Sequence, residues 1–241
     1  MATPATNAMP PRLYLPQATS NSTCYLPAQQ SHYLLRVLRM KPKDVVHVFD
    51  GNGGEYAAII ITADKKGVEL HVDEKISSLM ADSDICIHIA QAVCASAKMD
   101  WAVEKMTELG AARITPLTTA HTNNIRAPIA RWQRLSTAAS GQCGRATVPV
   151  VDSLITLSDF LAQGDSKQKI LLSPRAKQHL SVAYQSAQPA IFLFGPESGL
   201  TNTEEEQCLS AGFTFANLGT RILRAETAAL AALAMVSALS D

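Results

Sequence analysis

Two glycine-bearing segments in the second half of the chain have the residue types of a ligand-binding loop. They are residues 195–199 (Gly-Pro-Glu-Ser-Gly) and residues 219–224 (Gly-Thr-Arg-Ile-Leu-Arg). Each follows a predicted strand and leads toward a predicted helix. In open α/β sheets, ligands bind beyond the carboxyl ends of the strands, where glycines let the backbone approach closely and helix starts offer free amide donors. Both segments could therefore line one pocket, although glycines that only turn the chain would leave the same pattern.

The spacing of these glycines excludes one class of ligand. Neither segment contains Gly-x-Gly-x-x-Gly or the Gly-Lys pair of a phosphate-binding loop, so a nucleoside triphosphate is not indicated. Arg224 and Glu226 stand at the start of an alanine-rich, otherwise apolar segment. If they are buried, such charges need partners. Alternatively, they form a solvated first turn in which Glu226 lies favourably near the positive helix end.

The cysteines and histidines do not indicate a metal site. Five cysteines are scattered singly, without a Cys-x-x-Cys pair, and the six histidines show no matching spacing. We therefore expect no metal, and reduced thiols in a cytoplasmic protein. The amino terminus lacks the apolar core of a secretory signal. Residues 222–239 carry two charges and indicate a buried helix rather than a membrane span.

The net charge of the chain and the charge of one local segment favour different conclusions about nucleic-acid binding. The net charge is zero, which argues mildly against nucleic-acid binding, because proteins that neutralise phosphates are usually basic. Between Arg36 and Lys43, however, there are four positive charges and no negative one. A cationic edge is predicted there. With 47% hydrophobic and 17% charged residues, the chain has the composition of an ordinary globular protein.

The first part of the chain predicts a small β domain. Residues 31–39 have leucines at helical spacing after a possible Ser31 cap, and short strands are predicted at residues 45–49, 56–62 and 68–72. Residues 77–83 are small and polar, and the pattern changes after them. We therefore predict a boundary between domains 1–78 and 79–241.

The second part alternates strands with helices, which predicts an α/β domain. Short apolar runs at residues 169–172 and 190–194 are typical of a parallel sheet covered on both faces. The other predicted strands are residues 85–93, 113–117 and 213–218. The predicted helices are residues 99–109, 128–142, 203–210 and 222–239.

Several strings resemble one known family. Residues 194–200 with Glu204, and residues 218–228, are similar to the signature of the bacterial small-subunit ribosomal RNA uracil-N3 methyltransferases. The resemblance extends along the chain in three further matches, with order and spacing that also fit: His32 with residues 37–39, residues 50–56, and Lys98 with residues 105–110.

This resemblance implies a fold, a reaction and partners. The expected fold is α/β: a carboxyl-terminal SPOUT-type, trefoil-knotted methyltransferase domain behind a PUA-like amino-terminal β-barrel. The expected reaction is S-adenosylmethionine-dependent methylation of a uridine at N3 in 16S ribosomal RNA, in the cytoplasm. A homodimer is also implied, in which the second subunit helps to complete each site, with 16S RNA in the small ribosomal subunit as substrate.

The resemblance also suggests roles for residues. Arg224 is the candidate cation that favours the anionic uracil ring as it forms, with Arg221 second. Glu197 either accepts the N3 proton or orients the cofactor ribose. The expected cofactor contacts are Leu171, Leu172, Gly195, Pro196, Glu197, Gly199, Leu218, Gly219, Ile222, Leu223 and Arg224. The expected RNA contacts, chiefly to phosphates, are Arg12, Arg36, Arg39 and Lys43, whose alternative is solvated surface charge.

The chain departs from the family pattern at three places. Ser198 replaces a usual glycine, which would introduce strain if that position needed a positive φ. A usual Glu-Gln pair is Gly141-Gln142, and an Arg-Ser feature is replaced at residues 120–123. We expect these changes to alter contacts with RNA and to leave the cofactor site intact.

Three other functions stay open from sequence: a SPOUT enzyme acting on another RNA position or a ribose hydroxyl, a non-catalytic RNA-binding assembly factor, and a metabolic α/β enzyme with a nucleotide-like ligand.

Overall fold

The protein, described from a computed structural model, divides into two compact units. The structure describes residues 9–64, 66–76, 86–122, 127–164, 168–186 and 188–240. One unit comprises residues 1–82 with 140–147, and the other comprises residues 83–139 with 148–241. The predicted linker at residues 77–83 lies outside the described residues, so the domain boundary stays a prediction.

The first unit is built on a five-stranded sheet with the order β1-β3-β4-β5-β2. Strand β1 is parallel to β3, and the other neighbours are antiparallel. The strands are β1 (Arg12–Tyr14), β2 (Ser22–Tyr25), β3 (Val45–Phe49), β4 (Glu55–Asp64) and β5 (Gly67–Ile76). One face is apolar, and Val46, Val48 and Leu70 are fully buried on it.

The three strands predicted for this unit are confirmed, and two strands were missed. β1 and β2 have three and four residues, too few to show an alternating pattern. β4 and β5 are each ten residues long, longer than predicted, because their ends pair with each other beyond the apolar stretch.

The predicted helix over residues 31–39 is only partly correct. Helix α1 (Ala28–His32) begins earlier and continues as a π-helical turn, Tyr33–Val37. Ser31 does not cap it. Its hydroxyl donates to the Leu26 carbonyl and accepts the Val68 N–H, so it ties the helix to β5 instead.

The second unit is a parallel sheet with the order β12-β10-β11-β6-β7-β8, in which β9 also pairs with β7. Its strands are β6 (Ile87–Ala92), β7 (Arg113–Thr118), β8 (Val150–Val151), β9 (Ile155–Thr156), β10 (Gln168–Leu172), β11 (Ala190–Phe194) and β12 (Thr214–Ala216). Its helices are α2 (Ser96–Glu108), α3 (Ile129–Cys143), α4 (Leu157–Ala162), α5 (Leu180–Ala183), α6 (Asn202–Ser210) and α7 (Ala225–Ser240).

The α/β prediction is confirmed, with one correction that matters for the site. Helix α7 begins at Ala225 and not at residue 222. Residues 222–224 are therefore loop, and the Arg224 carbonyl accepts the Ala228 N–H at 2.8 Å, which closes the first turn. Helices α4 and α5 and strands β8 and β9, of two to six residues each, were not predicted.

The sheet of the second unit is covered on both faces. Along β11, Phe192 and Phe194 belong to one core and Ile191 and Leu193 to another, because successive side chains point to opposite faces. Trp132 of α3 is fully buried in the first of these cores. In the described part of the chain, no helix is long and apolar enough to cross a membrane.

Candidate active site

The two glycine-bearing segments lie against one cavity of the second unit. The cavity has a volume of about 1330 Å³ and opens where β10, β11 and β12 end. Its lining includes Gly195, Gly199, Gly219 and Leu223. The segments therefore converge, as the sequence predicts for loops at the carboxyl edge of a parallel sheet.

The loop after β11 depends on a close backbone approach. A Cβ at Gly195 would lie 3.2 Å from Cγ of Leu200 and 3.4 Å from its backbone nitrogen. Gly199 has a φ of +78° and donates its N–H to the Pro196 carbonyl, which closes the turn. Ser198 is not among the described residues with positive φ. The strain considered for this serine does not arise, because the adjacent glycine adopts the left-handed conformation.

Asn217 connects two parts of the cavity wall. Its side-chain Oδ1 accepts the Gly219 N–H at 3.0 Å, and its Nδ2 donates to the Ala176 carbonyl at 2.8 Å. Gly219 itself has a φ of +110°, a conformation that side chains rarely adopt. One amide side chain thus fixes the Gly219 turn against the loop that follows β10.

Glu204 fastens the loop after β7 to the loop after β11. Its carboxylate accepts the Ala120 N–H at 2.7 Å and both the N–H and the hydroxyl of Thr201, which caps α6. Burial opposes ionisation, but these hydrogen bonds outweigh it and hold the pKa of Glu204 below its ordinary value. His121 adds a second link, since its Nδ1 donates to the Gly199 carbonyl at 3.0 Å.

Lys98, in the first turn of α2, forms an ion pair with Glu197 at the cavity. The hydrogen bond from this ammonium lowers the pKa of Glu197, and the same bond raises the pKa of Lys98. Arg224 contributes to the lowered pKa of Glu197 as well. A carboxylate stabilised in its charged form is a weak proton acceptor.

The structure brings most of the predicted cofactor contacts together. All of them line the cavity except Leu218, which packs against the core behind it. Of the two candidate cations, Arg224 lines the cavity, whereas Arg221 is exposed and does not.

Some cavity residues were not singled out from sequence. They are chiefly the segment after β10, namely Ser173, Pro174 and Arg175, together with His179 and Asn217. That segment contains no glycine and no motif, so only its position at a strand end could have indicated it. Lys98 belongs to the strings that resemble the family, but the sequence alone did not predict a function for its side chain.

The structure corrects the expectation for Arg12. Its guanidinium forms a bidentate ion pair with Glu55, whose side chain is fully buried, and donates to the carbonyls of Ser140, Gly141 and Arg145. An arginine side chain has five N–H donors, and all five are used here. Arg12 is thus a structural residue of the first unit and has no donor left for a phosphate.

Arg36, Arg39 and Lys43 are exposed, as an RNA contact requires. Arg36 lies in the π-helical turn. Arg39 and Lys43 have φ values of +55° and +77°, which are uncommon for residues other than glycine. The turn from α1 into β3 thus presents three cations to solvent from an irregular backbone.

Among the described residues, no group of three or more histidine, cysteine, aspartate or glutamate side chains could hold a metal ion. All five cysteines are free thiols.

Together, the fold and the cavity define a class, the RNA methyltransferases. Residues 81–237 match the family described as an RNA methyltransferase domain, and residues 26–73 match the RNA methyltransferase PUA domain. The predicted α/β methyltransferase domain and PUA-like domain are thereby confirmed, whereas the SPOUT-type assignment stays a prediction. The knotted path stays a prediction.

Individual relatives narrow this class. The ribosomal RNA small subunit methyltransferase E of Neisseria gonorrhoeae, solved bound to S-adenosyl methionine, superposes with a TM-score of 0.89 at 33% identity, covering 96% of this chain and 98% of that one. A putative methyltransferase of Legionella pneumophila with bound cofactor has a TM-score of 0.87 at 27% identity, covering 97% and 99%. The Synechocystis small subunit methyltransferase E is 32% identical over 94% of this chain and 76% of its own length. The chain belongs to the ribosomal RNA small subunit methyltransferase E family.

Proposed function

We propose that this protein transfers a methyl group from S-adenosylmethionine to N3 of a uridine in 16S ribosomal RNA. The observation that carries the proposal is the single cavity formed by the Gly195 and Gly219 turns at the carboxyl ends of parallel strands. Its volume, about 1330 Å³, exceeds the roughly 300–1,000 Å³ of ordinary ligand pockets. There is room for a nucleoside cofactor and for part of a target nucleotide.

The residues at the cavity fit this cofactor. Leu172 and Leu223 offer apolar surface for adenine, and the glycine turns offer backbone N–H and carbonyl groups without side chains in the way. When bound, S-adenosylmethionine supplies an electrophilic methyl group on a positively charged sulfur. We assign cofactor binding to Leu171, Leu172, Gly195, Pro196, Glu197, Gly199, Leu218, Gly219, Ile222, Leu223 and Arg224, of which Leu218 acts from behind the wall.

Arg224 is the residue that we assign to the target base. Its guanidinium is exposed beside the cavity, where it would stabilise negative charge on the uracil oxygens as N3 loses its proton. Arg221 is second, since it is exposed outside the cavity lining. For Glu197 we favour orientation of the cofactor ribose over proton transfer, because its pairing with Lys98 makes it a weak base.

Substitution of Arg224 tests this assignment. We expect Arg224→Ala to lose about 100-fold or more in turnover, the usual loss for one stabilising donor. Its calorimetric affinity for S-adenosylmethionine should stay within a few-fold, because we assign the cofactor contact of residue 224 to its backbone. Arg224→Lys retains the charge and should recover part of the rate. Near-normal turnover of Arg224→Ala would remove this residue from the mechanism.

RNA recognition follows from the chemistry of the target atom. Uracil N3 lies on the pairing edge, so the nucleotide must be unpaired or flipped out before it reacts. Arg36, Arg39 and Lys43 are the proposed phosphate contacts, because all three are exposed on one turn of the first unit. We place this activity on the small ribosomal subunit in the cytoplasm, the location that this substrate requires.

We also propose that the protein acts as a homodimer. Trp101 on α2 is 47% exposed and Ile222 beside the cavity is 85% exposed, and both would be available to a partner subunit. A partner that covered Ile222 would also adjoin the cavity. Analytical ultracentrifugation of wild type and Trp101→Glu tests this, and a monomeric wild type would contradict it.

The decisive experiment for the function uses labelled S-adenosylmethionine with two substrates, naked 16S RNA and small subunits from a strain lacking the modification. Mass mapping of the product should find 3-methyluridine at a single position. A methyl group at another position would favour a different RNA specificity. Cofactor binding without any transfer would favour a non-catalytic assembly factor.

A further inference from the structure

Glu226 is a buried carboxylate that the functions assigned above do not use. It lies in the first turn of α7, and only 6% of the residue is exposed. Its Oε2 is enclosed and has no hydrogen-bond partner among the described residues. An enclosed polar atom without a partner costs about 1–3 kcal/mol, and more when the group is charged, so such atoms are rare, and a catalytic role is one reason for a protein to keep one.

Glu226 lies beside the cavity. Ala225, which precedes it, and Ala228 of the same helix line the cavity wall, whereas Glu226 itself is not among the lining residues. Its charge is felt on the opposite side by Cys94, where burial and then Glu226 raise the pKa of the thiol to about 11. It also contributes, after Glu197, to the raised pKa of Lys98. The carboxylate is therefore close enough to Cys94 and Lys98 to affect the pKa of both, and its helix packs against α2.

The surroundings of Glu226 are mixed in charge. Helix α7 packs against α2, α5, β6 and β11. The titratable and charged groups that these elements and α7 present around the cavity end are Cys94 after β6, Lys98 on α2, His179 before α5, Glu197 after β11 and Arg224 before α7. Neither of the two cations, Lys98 and Arg224, forms a hydrogen bond with Oε2 of Glu226 in the described structure.

The other carboxylates near the cavity are less suited to accept a proton. Glu197 is held in its charged form by Lys98, and Glu204 accepts three hydrogen bonds. Glu205, in the first turn of α6, is only partly buried. Only Glu226 combines burial with an oxygen that no hydrogen bond occupies.

We propose that Glu226 is the proton acceptor of the reaction, a catalytic residue that contacts the target base. This rests on the proposed function, because uracil N3 carries a proton that must leave. The N3–H bond breaks, its electron pair stays on N3 as the nucleophile, and the proton moves to the carboxylate of Glu226. The pair on N3 then forms the new N–C bond, and the electrons of the broken C–S bond remain on the cofactor sulfur.

Glu226→Gln tests the proposal, because the amide keeps the shape of the side chain but cannot take the proton. We expect kcat to fall by about 100-fold or more at pH 7, in the range of general-base contributions. The remaining rate should rise about tenfold per pH unit, because hydroxide must then remove the N3 proton. Calorimetric affinity for S-adenosylhomocysteine should stay within about twofold of wild type, since the carboxylate acts on the base. Glu206→Gln, an exposed carboxylate on α6, is the matched control and should leave kcat unchanged.

A wild-type kcat in Glu226→Gln, or a reduced kcat whose pH profile keeps the shape of wild type, overturns the proposal. An equal loss of kcat and of S-adenosylhomocysteine affinity does the same, because it indicates a binding or structural role. Should Glu226→Gln fail to fold by circular dichroism, Glu226→Asp decides: the acidic limb of its kcat profile should be displaced, and an unmoved limb overturns the assignment. A wild-type product other than 3-methyluridine overturns the proposed function itself. Correct product together with an unaffected Glu226→Gln overturns only the role of Glu226.

Discussion

At the scale of single residues, three carboxylates of the second unit differ in what their oxygens contact. Glu197 is exposed and paired with an ammonium, Glu204 is saturated by hydrogen bonds, and Glu226 is buried with one oxygen left over. The same side chain, glutamate, is thus a structural fastener at position 204, and we propose that it orients the cofactor at position 197 and acts as the base at position 226. The surroundings of each carboxylate decide which of these it becomes.

Glu204 should make stability depend on acid pH. Its pKa is lower in the folded protein than the ordinary value of 4.5, so its stabilisation is fully present above that value and is lost as the pH falls through the folded pKa. Glu204→Gln should cost about 1–3 kcal/mol at pH 7, because donors lose their acceptor. Urea unfolding at pH 7 and at acid pH checks this, and the gap between wild type and variant should narrow below pH 4.5. A constant gap would contradict the assignment.

Arg12 should matter for folding and not for RNA. Arg12→Ala leaves the fully buried Glu55 without its partner, which typically costs about 3–5 kcal/mol. Chemical unfolding measures the loss, and Arg12→Ala combined with Glu55→Gln should recover part of it because no buried charge remains. If Arg12→Ala is as stable as wild type and its RNA binding depends less on salt, then Arg12 contacts an RNA phosphate after all.

At the scale of elements, the cavity wall consists of turns that are held by side chains from neighbouring strands. Asn217 follows β12 and bonds to both the Gly219 turn and the loop after β10. Glu204 on α6 does the same for the loop after β7. The turns are thereby positioned before any ligand arrives, which reduces the ordering cost of binding.

Asn217→Ala should therefore weaken cofactor binding without unfolding the protein. We expect an increase in Kd for S-adenosylmethionine of about tenfold, equivalent to the roughly 1.4 kcal/mol that one hydrogen bond contributes. Asn217→Asp keeps the acceptor for the Gly219 N–H and loses the donor to Ala176, so its Kd should fall between those of alanine and wild type. Equal Kd values for S-adenosylmethionine in wild type and both variants would show that the turns keep their conformation without the Asn217 side chain.

At the scale of the whole molecule, a net charge of zero coexists with a local cationic edge, which we propose to be the RNA-binding surface. In the described part of the chain the cations of residues 36–43 form no ion pair, whereas Arg12 is paired with Glu55. A protein can thus present a basic edge without being basic overall, because screening limits each phosphate contact to nearby charges.

The salt dependence of RNA binding should reveal this edge. Neutralising Arg39 or Lys43 to alanine should lower the slope of log affinity against log salt by about one unit each. Lys75→Ala, an exposed lysine on β5 outside the edge, is the control and should leave the slope unchanged. The expectation fails if Arg39→Ala and Lys75→Ala behave alike.

The sequence by itself determined the α/β class, the position of both glycine turns and the family, because strand-turn-helix order and local motifs are written in consecutive residues. Three features could be seen only in the tertiary structure. They are the use of all five Arg12 N–H donors, the Glu226 oxygen that has no hydrogen-bond partner among the described residues, and the hydrogen bonds by which Asn217 links two loops. Each depends on groups far apart in the chain that packing brings together. Hydrogen bonding and burial are properties of a residue's neighbours in space, so spacing along the chain could not predict them.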